Sequence, residues 1–291
     1  MTTVLITGAN GQLGSEFRYL QSSFNHVELL FTDIEELDVL NSIALAEFIE
    51  NVRPDYIVNC AAFTNVDGAE ENGVAAYELN ALAVRSIGAV AEKFGVGCIH
   101  ISTDYVFSGE GKMAYTEKDI PKPINVYGLT KYLGEYELCS INPPNSLIIR
   151  TSWLYSTFGK NFVNTIVNLS KNKSSISVVD DQYGSPTYAR DLAKAILKIL
   201  PYKNNMNVEI FNFANKGTIT WYDFAEEIVE QLGNDCDIIP VTTEQFSSKA
   251  KRPKFSTLNT DKFELTFQTT MRPWKESLKN CIIEMNKNQS K

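Results

Sequence analysis

Histidine is almost absent from this chain: its 291 residues include two, His26 and His100. Neither has a metal-ligating partner two to four positions away, and so small a supply removes most mechanisms in which an imidazole is the acid or base. Both read as structural, His26 ahead of a predicted strand and His100 within one. The five cysteines (Cys60, Cys98, Cys139, Cys236 and Cys281) are odd in number, widely spaced and without a CxxC pair. That excludes a disulfide framework and a thiolate zinc site, and fits reduced thiols in the cytoplasm. No uncharged apolar stretch approaches the ~20 residues of a membrane span, and residues 4 to 7 already read as a buried strand, which leaves no room for a secretory leader. The expectation is a soluble, unprocessed protein with no membrane partner. Basic charge is also in deficit. A net charge of −8 argues against nucleic acid or an anionic surface as partner, so any anion must be held by a local cluster of Arg and Lys. Repeats and low-complexity tracts are missing too.

What is present is a 44% hydrophobic chain long enough for a sizeable core. Short β-rich runs at Thr3–Thr7, Val27–Thr32, Tyr56–Cys60, Gly97–Ser102 and Ser146–Arg150 alternate with helical patterns near 12–22, 41–51, 73–94 and 125–139. That rhythm predicts an α/β protein, a Rossmann-like doubly wound parallel sheet. After about residue 150 it loosens into helix-like 160–172, a strand Ile176–Val179, helix-like 189–200, a strand Ile210–Ala214 and helix-like 220–232. Residues 1–150 are therefore read as a dinucleotide-binding domain whose core takes in parts of 151–215. Residues 151–291 form mainly a smaller C-terminal substrate-binding lobe over the strands' carboxyl ends. Arg252-Pro253 and Arg272-Pro273 mark loops or helix starts, and the tail 286–291 is expected to fray.

The opening VLITGANGQLG, residues 4 to 14, places Gly8, Gly11 and Gly14 between a strand and a helix. A tight turn, a close backbone approach to a pyrophosphate and close helix–strand packing each require glycine there, and the helix N-terminus favours phosphate. Asn10, Gln12 and Leu13 fall within the same turn. An acidic residue about 20 positions on should meet the ribose hydroxyls, and Asp33 ends the second predicted strand. Glu35 and Glu36 follow it with no Arg or Lys nearby, so a 2′-phosphate would meet negative charge and NADH is favoured over NADPH. A helix-capping or loop aspartate is the plain structural alternative. Small residues close the third strand, where Ala61 and Ala62 allow a cofactor to lie against the backbone. Thr64 and Asn80 are candidate polar contacts to it.

Tyr127 and Lys131 stand four apart on a helical pattern, so both project from one face. A free phenol is a poor acid–base at neutral pH, and an adjacent ammonium should tune it towards the operating range. Ser102-Thr103-Asp104 ends the fourth strand at the edge where a parallel sheet presents its site. Thr103 is the expected second donor to the same carbonyl oxygen, with Ser102 as the fallback because strand alternation decides which side chain points outward.

On these motifs the chain resembles the extended short-chain dehydrogenase/reductases, and within them the reductases of nucleotide-linked keto sugars. Carrying the likeness are TGANGQLG, NCAAFTNVDGAE (59–70), STDYVFSG (102–109), YGLTKYLGE (127–135), RTSWLY (150–155), DQYGSPTY (181–188) and KRPKFSTL (251–258). The resemblance implies a catalytic Thr103, Tyr127 and Lys131, with hydride delivered to C4 of a keto-deoxysugar and Lys131 also holding the nicotinamide ribose. It implies substrate contacts from Thr103, Asp104, Trp153, Gln182, Thr187 and Arg252, the last suited to a diphosphate. Dehydratases of the group carry an Asp-Glu pair after the threonine; here Tyr105 follows Asp104, which favours net reduction. Some relatives hold magnesium at a homodimer interface through glutamates, and Glu16 matches one of these. Two alternatives stand beside the reductase. One is a reductase or epimerase of another nucleotide-linked keto sugar. The other is a regulatory subunit like that of methionine adenosyltransferase, against which Thr103, Tyr127, Lys131 and Arg252 argue.

Overall fold

A computed structural model describes residues 1–200 and 207–289. Strands β1 (Thr2–Thr7), β2 (Val27–Thr32), β3 (Tyr56–Asn59), β4 (Gly97–Thr103) and β5 (Leu147–Thr151) alternate with helices α1 (Gln12–Leu20), α2 (Ser42–Val52), α3 (Val66–Glu71), α4 (Gly73–Tyr77), α5 (Ala83–Phe94) and α6 (Val126–Ile141). Beyond them come β6 (Leu154–Tyr155), α7 (Phe162–Ser170), β7 (Ser175–Val179), β8 (Tyr183–Gly184), β9 (Thr187–Tyr188), α8 (Ala189–Ile199) and β10 (Glu209–Phe213). The chain ends with β11 (Ile219–Thr220), α9 (Trp221–Leu232), β12 (Asp237–Val241), α10 (Thr243–Phe246), α11 (Asp261–Phe267) and α12 (Trp274–Gln289).

Six strands form one sheet in the order β10-β5-β4-β3-β1-β2, every pair parallel. Successive side chains point to opposite faces of a strand, and here each face has its own core. Val4 and Ile6 join Phe17, Ile196 and Phe211 on one side, while Leu5 joins Leu45, Ile57, Ile87 and Ile148 on the other. Burial on both faces explains why these strands read as unbroken apolar runs. A third core, around Tyr155, Ile166, Phe224, Ile228 and Leu278, lies among α7, α9 and α12 away from the sheet. The sheet itself crosses residue 150, because β10 pairs with β5 in register from Glu209↔Leu147 to Phe213↔Thr151.

Three details depart from the sequence reading. The Ala-rich segment 73–94 is interrupted by a π turn over Glu78–Leu82, which buries Asn80. The strand β12, which sequence alone left unread, pairs in parallel with β7. The expected fraying does not begin at Asn286: α12 continues to Gln289, anchored by Glu284, which takes hydrogen bonds from Tyr19 and Lys287. Ser290 and Lys291, the end of that expected tail, lie outside the described residues. No helix among the described residues is long and apolar enough to cross a membrane.

Chain order reverses between β1 and β3, since β2 lies on one side of β1 and β3 on the other. The crevice over the carboxyl ends of such a pair is where doubly wound sheets bind ligands.

Candidate active site

The glycine turn sits on that crevice. Gly8 has φ +62°, and a Cβ there would come within 2.6 Å of Ala61 N, so only glycine lets the turn close on the end of β3. Gly14 packs as tightly on Ala9. Gly11 caps α1 with no side-chain hydrogen bond, which leaves the first N–H groups of the helix for an anion. Asn10 is exposed, Leu13 is buried in the sheet core, and Gln12 Oε1 accepts from Asn161 Nδ2 at 3.0 Å. The Leu13 side chain thus has no part in ligand contact; its place is in packing.

Asp33 stands beside this turn. Its Oδ2 accepts from Asn10 N at 2.8 Å and its Oδ1 from Ile34 N at 2.9 Å, so the carboxylate ties the end of β2 to the glycine turn. Ala61 and Ala62 are half-buried at the end of β3, and Thr64 is exposed further along the loop. Asn80 does not face the crevice. It is fully buried, donates to Phe63 O and Thr130 Oγ1, and accepts from Phe63 N, so it pins the 61–64 loop to α6 instead of touching a cofactor through its side chain.

Helix α6 carries Tyr127 and Lys131. Asn125 caps it by accepting from Gly128 N at 2.7 Å and donates to Lys251 O at 2.8 Å, which fixes the helix start against the 250s segment. A Cβ on Gly128 would lie 2.1 Å from Tyr105 O, so glycine beside Tyr127 is what lets the helix press on the end of β4. On its far side the buried Glu135 takes two hydrogen bonds from Arg150 (2.8 and 2.6 Å) and one from Ser102 Oγ (2.6 Å). Strand alternation is thereby settled: Ser102 faces Glu135, and Thr103 faces the site.

Thr103 and Tyr127 meet. The phenol of Tyr127 stands beside the Thr103 hydroxyl, whose Oγ1 donates to Asp104 Oδ1 at 3.1 Å. Burial pushes Tyr127 up to about 12, with the Thr103 hydroxyl opposing. This reverses the expectation that an ammonium would lower the phenol. Lys131 Nζ instead donates to Ile101 O at 2.6 Å and lies 3.3 Å from His100 Nε2, and burial brings it down to about 8. Asp104 is pushed up to about 7 by burial, against hydrogen bonds from Ser256 and Thr103.

The implied substrate residues divide. Arg252 grips Asp67 through two hydrogen bonds, Nη2–Oδ2 at 2.8 Å and Nη1–Oδ1 at 3.2 Å, and also bonds the Tyr105 hydroxyl. Tyr105 in turn stands edge-on to Tyr127, ring centroids 5.8 Å apart. Arg252 and Gln182 line a cavity of about 300 Å³ whose other walls include Phe162, Ile166, Val178, Trp221 and Phe246. Trp153, at φ +46°, stacks on Trp221 at 3.6 Å, so one of its faces is already covered by a ring and is closed to a sugar. Thr187 is fully buried and hydrogen-bonded to Thr151 Oγ1 at 3.1 Å; it belongs to the β6–β9 pairing and not to the cleft wall. Sequence reasoning missed Tyr105, Asp67 and Trp221. The first two lie inside STDYVFSG and NCAAFTNVDGAE, so the motifs held the signal, whereas nothing local marks Trp221.

Glu16 fails as a magnesium ligand within this chain. Its carboxylate is buried and already takes hydrogen bonds from Ser156 Oγ and Arg190 Nε, both at 2.7 Å, and Arg190 reaches Glu284 at 3.2 Å. A guanidinium thus stands where a cation's charge would be needed. No group of three or more His, Cys, Asp or Glu side chains among the described residues could hold a metal ion.

A glycine turn over a helix N-terminus, beside a buried threonine and lysine and a half-buried tyrosine on a six-stranded parallel sheet, is the arrangement of a nicotinamide-dependent oxidoreductase with a Rossmann-like fold. Comparison with known proteins narrows the class. The family model described as RmlD substrate binding domain matches residues 1–287, and the chain belongs to that family. It is 37% identical to a dTDP-4-dehydrorhamnose reductase of Aggregatibacter actinomycetemcomitans, over 96% of this chain and 98% of the relative. A solved dTDP-4-dehydrorhamnose reductase from Clostridium acetobutylicum superposes with a TM-score of 0.93 at 43% identity, covering 98% of this chain and all of that one (100%). Another from Bacillus anthracis, solved in complex with NADP, gives 0.93 at 36% identity with the same coverage, 98% and 100%. The resemblance read from the motifs is to this group.

Proposed function

We propose that this chain reduces the C4 keto group of dTDP-4-dehydro-L-rhamnose to give dTDP-L-rhamnose, in the cytoplasm. The observation that carries the reading is the placing of Thr103, at the end of β4, beside the Tyr127 phenol, flanked by Lys131 on one side and by Arg252 and the apolar cavity on the other. The nicotinamide, when bound, supplies the hydride. The glycine turn and the free N–H groups of α1 suit its pyrophosphate, and Lys131 holds its ribose. Tyr127, kept protonated at neutral pH by burial, gives its proton to the sugar oxygen as hydride reaches C4. Thr103 Oγ1 bonds that same oxygen and holds it in line. Arg252 takes the diphosphate, and the cavity beyond takes the flat base against Trp221. These are roles of active parts, which is why the catalytic reading outweighs a regulatory one.

The cofactor is NADH or NADPH. Asp33, Glu35 and Glu36 place negative charge where a 2′-phosphate would lie, which supports NADH as the preferred form. A higher kcat/KM with NADPH overturns that preference.

The reading is tested by following nicotinamide absorbance with the substrate generated in situ from dTDP-glucose by a 4,6-dehydratase and an epimerase. Oxidation that requires the epimerase is the expected result. Oxidation without it reassigns the sugar, and no oxidation with either cofactor, despite measurable cofactor binding, overturns the reading.

A further inference from the structure

Beneath the proposed nicotinamide end of the crevice, side chains from the ends of β1 and β3 and the middle of β4 are joined in one buried series. Thr7 Oγ1 of β1 donates to Asn59 Oδ1 of β3 at 2.8 Å, and Ala61 N–H donates to the same oxygen at 3.1 Å. Asn59 Nδ2 lies 3.1 Å from His100 Nδ1 of β4, and His100 Nε2 lies 3.3 Å from Lys131 Nζ. His100 is 0% exposed, Asn59 1% and Lys131 2%, so no solvent competes for these contacts.

The donors and acceptors admit one assignment. A backbone N–H only donates, so the atom facing Ala61 N is the Asn59 oxygen, and the amide NH₂ faces the ring. That NH₂ also only donates, so His100 Nδ1 accepts. Burial drives His100 well below its ordinary range, and a neutral ring that accepts at Nδ1 carries its proton on Nε2. The Nε2–H therefore points at Lys131 Nζ. An ammonium has no lone pair to receive it, whereas the neutral amine has one. The other groups facing Nζ act differently: Ile101 O accepts from it, and Glu135 and Cys60 favour its charged form.

We propose that His100 is a positioning residue for the reduction, its Nε2–H fixed by Asn59 so as to oppose the ammonium of Lys131 and set the pH at which that side chain loses its charge. The inference rests on the role given to Lys131 above. It makes the alkaline loss of activity a property of a three-strand hydrogen-bond series and not of the helix alone.

The chain holds two histidines, so ¹⁵N-imidazole NMR of the whole protein resolves both, with the exposed His26 as reference. The expected His100 signal is a neutral ring protonated at Nε2; a proton on Nδ1, or a charged ring, overturns the proposal. The alkaline limb of kcat/KM is then compared among wild type, His100→Phe and His100→Gln. It should rise by about one pH unit in His100→Phe and return in His100→Gln, whose amide restores a donor near Nε2. An unmoved or lowered limb in His100→Phe overturns the proposal. The same shift is expected in the pH dependence of NADPH binding, so failure of the proposed reduction is distinguishable from failure of this inference. If His100→Phe does not fold, the tautomer of the wild-type ring decides alone.

Discussion

At the proposed cofactor end of the cleft, the candidate side chains sit on strand ends and one helix and are held by hydrogen bonds: Thr103 to Asp104, Lys131 to Ile101 O, Asp33 to the glycine turn. At the other end, the cavity is walled by Phe162, Ile166, Val178, Trp221 and Phe246, drawn from α7, β7, α9 and α10, and held by ring stacking and apolar packing. The first end has geometry that a displacement of an ångström would ruin. The second has shape, which several apolar side chains share. Chemistry should therefore be concentrated in single residues at the first end, and affinity spread over many at the second.

The sharpest way to break that contrast is Tyr127→Phe, which removes the proposed general acid. It should lower kcat by about 100-fold or more with little change in substrate KM, as read in steady-state kinetics. An effect confined to KM would put Tyr127 among the binding residues and erase the distinction. Arg252→Ala tests the boundary between the ends. Loss of a charged hydrogen-bonding partner should raise the nucleotide-sugar KM by about 10-fold or more, while kcat changes less. Equal losses in both would mean that Arg252 acts through Tyr105 on Tyr127.

Asp33→Ala probes the cofactor end alone. It should weaken NADH binding a few-fold more than NADPH, as measured by fluorescence titration; equal effects would reduce Asp33 to its observed task of tying β2 to the glycine turn. The smallest effect is on stability. Asp104 holds its proton up to about 7 in the folded protein against 3.8 for a free carboxyl. A raised carboxylate pKa gives stability that is complete below the unfolded value and lost as pH rises through the folded one. The melting temperature should therefore fall between about pH 5 and about pH 8 by less in Asp104→Asn than in wild type. An identical fall would place the titration elsewhere.

Legibility followed the same division. The glycines, Thr103, Tyr127 and Lys131 lie in short runs whose spacing marks them as candidates, because a turn, a strand end and a helical repeat are local facts. Asn80 was misread because a π turn rotates it into the interior, and no local signal distinguishes that from a regular helix. Trp153 and Thr187 sit in equally specific motifs, yet one is stacked on Trp221 and the other is locked to Thr151, 36 residues away. Their motifs are as much about packing as about ligand.

By itself the sequence determined the alternation of strands and helices, the parallel sheet and the glycine turn, and it brought Thr103, Tyr127 and Lys131 forward as candidates, since each depends on periodicity or on residues within one turn of each other. Only the tertiary structure decided that Ser102 faces inward, that burial raises the Tyr127 phenol while Lys131 turns to His100, that Arg190 stands between Glu16 and Glu284, and that Trp221 walls the cavity. Those outcomes depend on desolvation and on partners far apart in the chain, and neither is written in any local pattern.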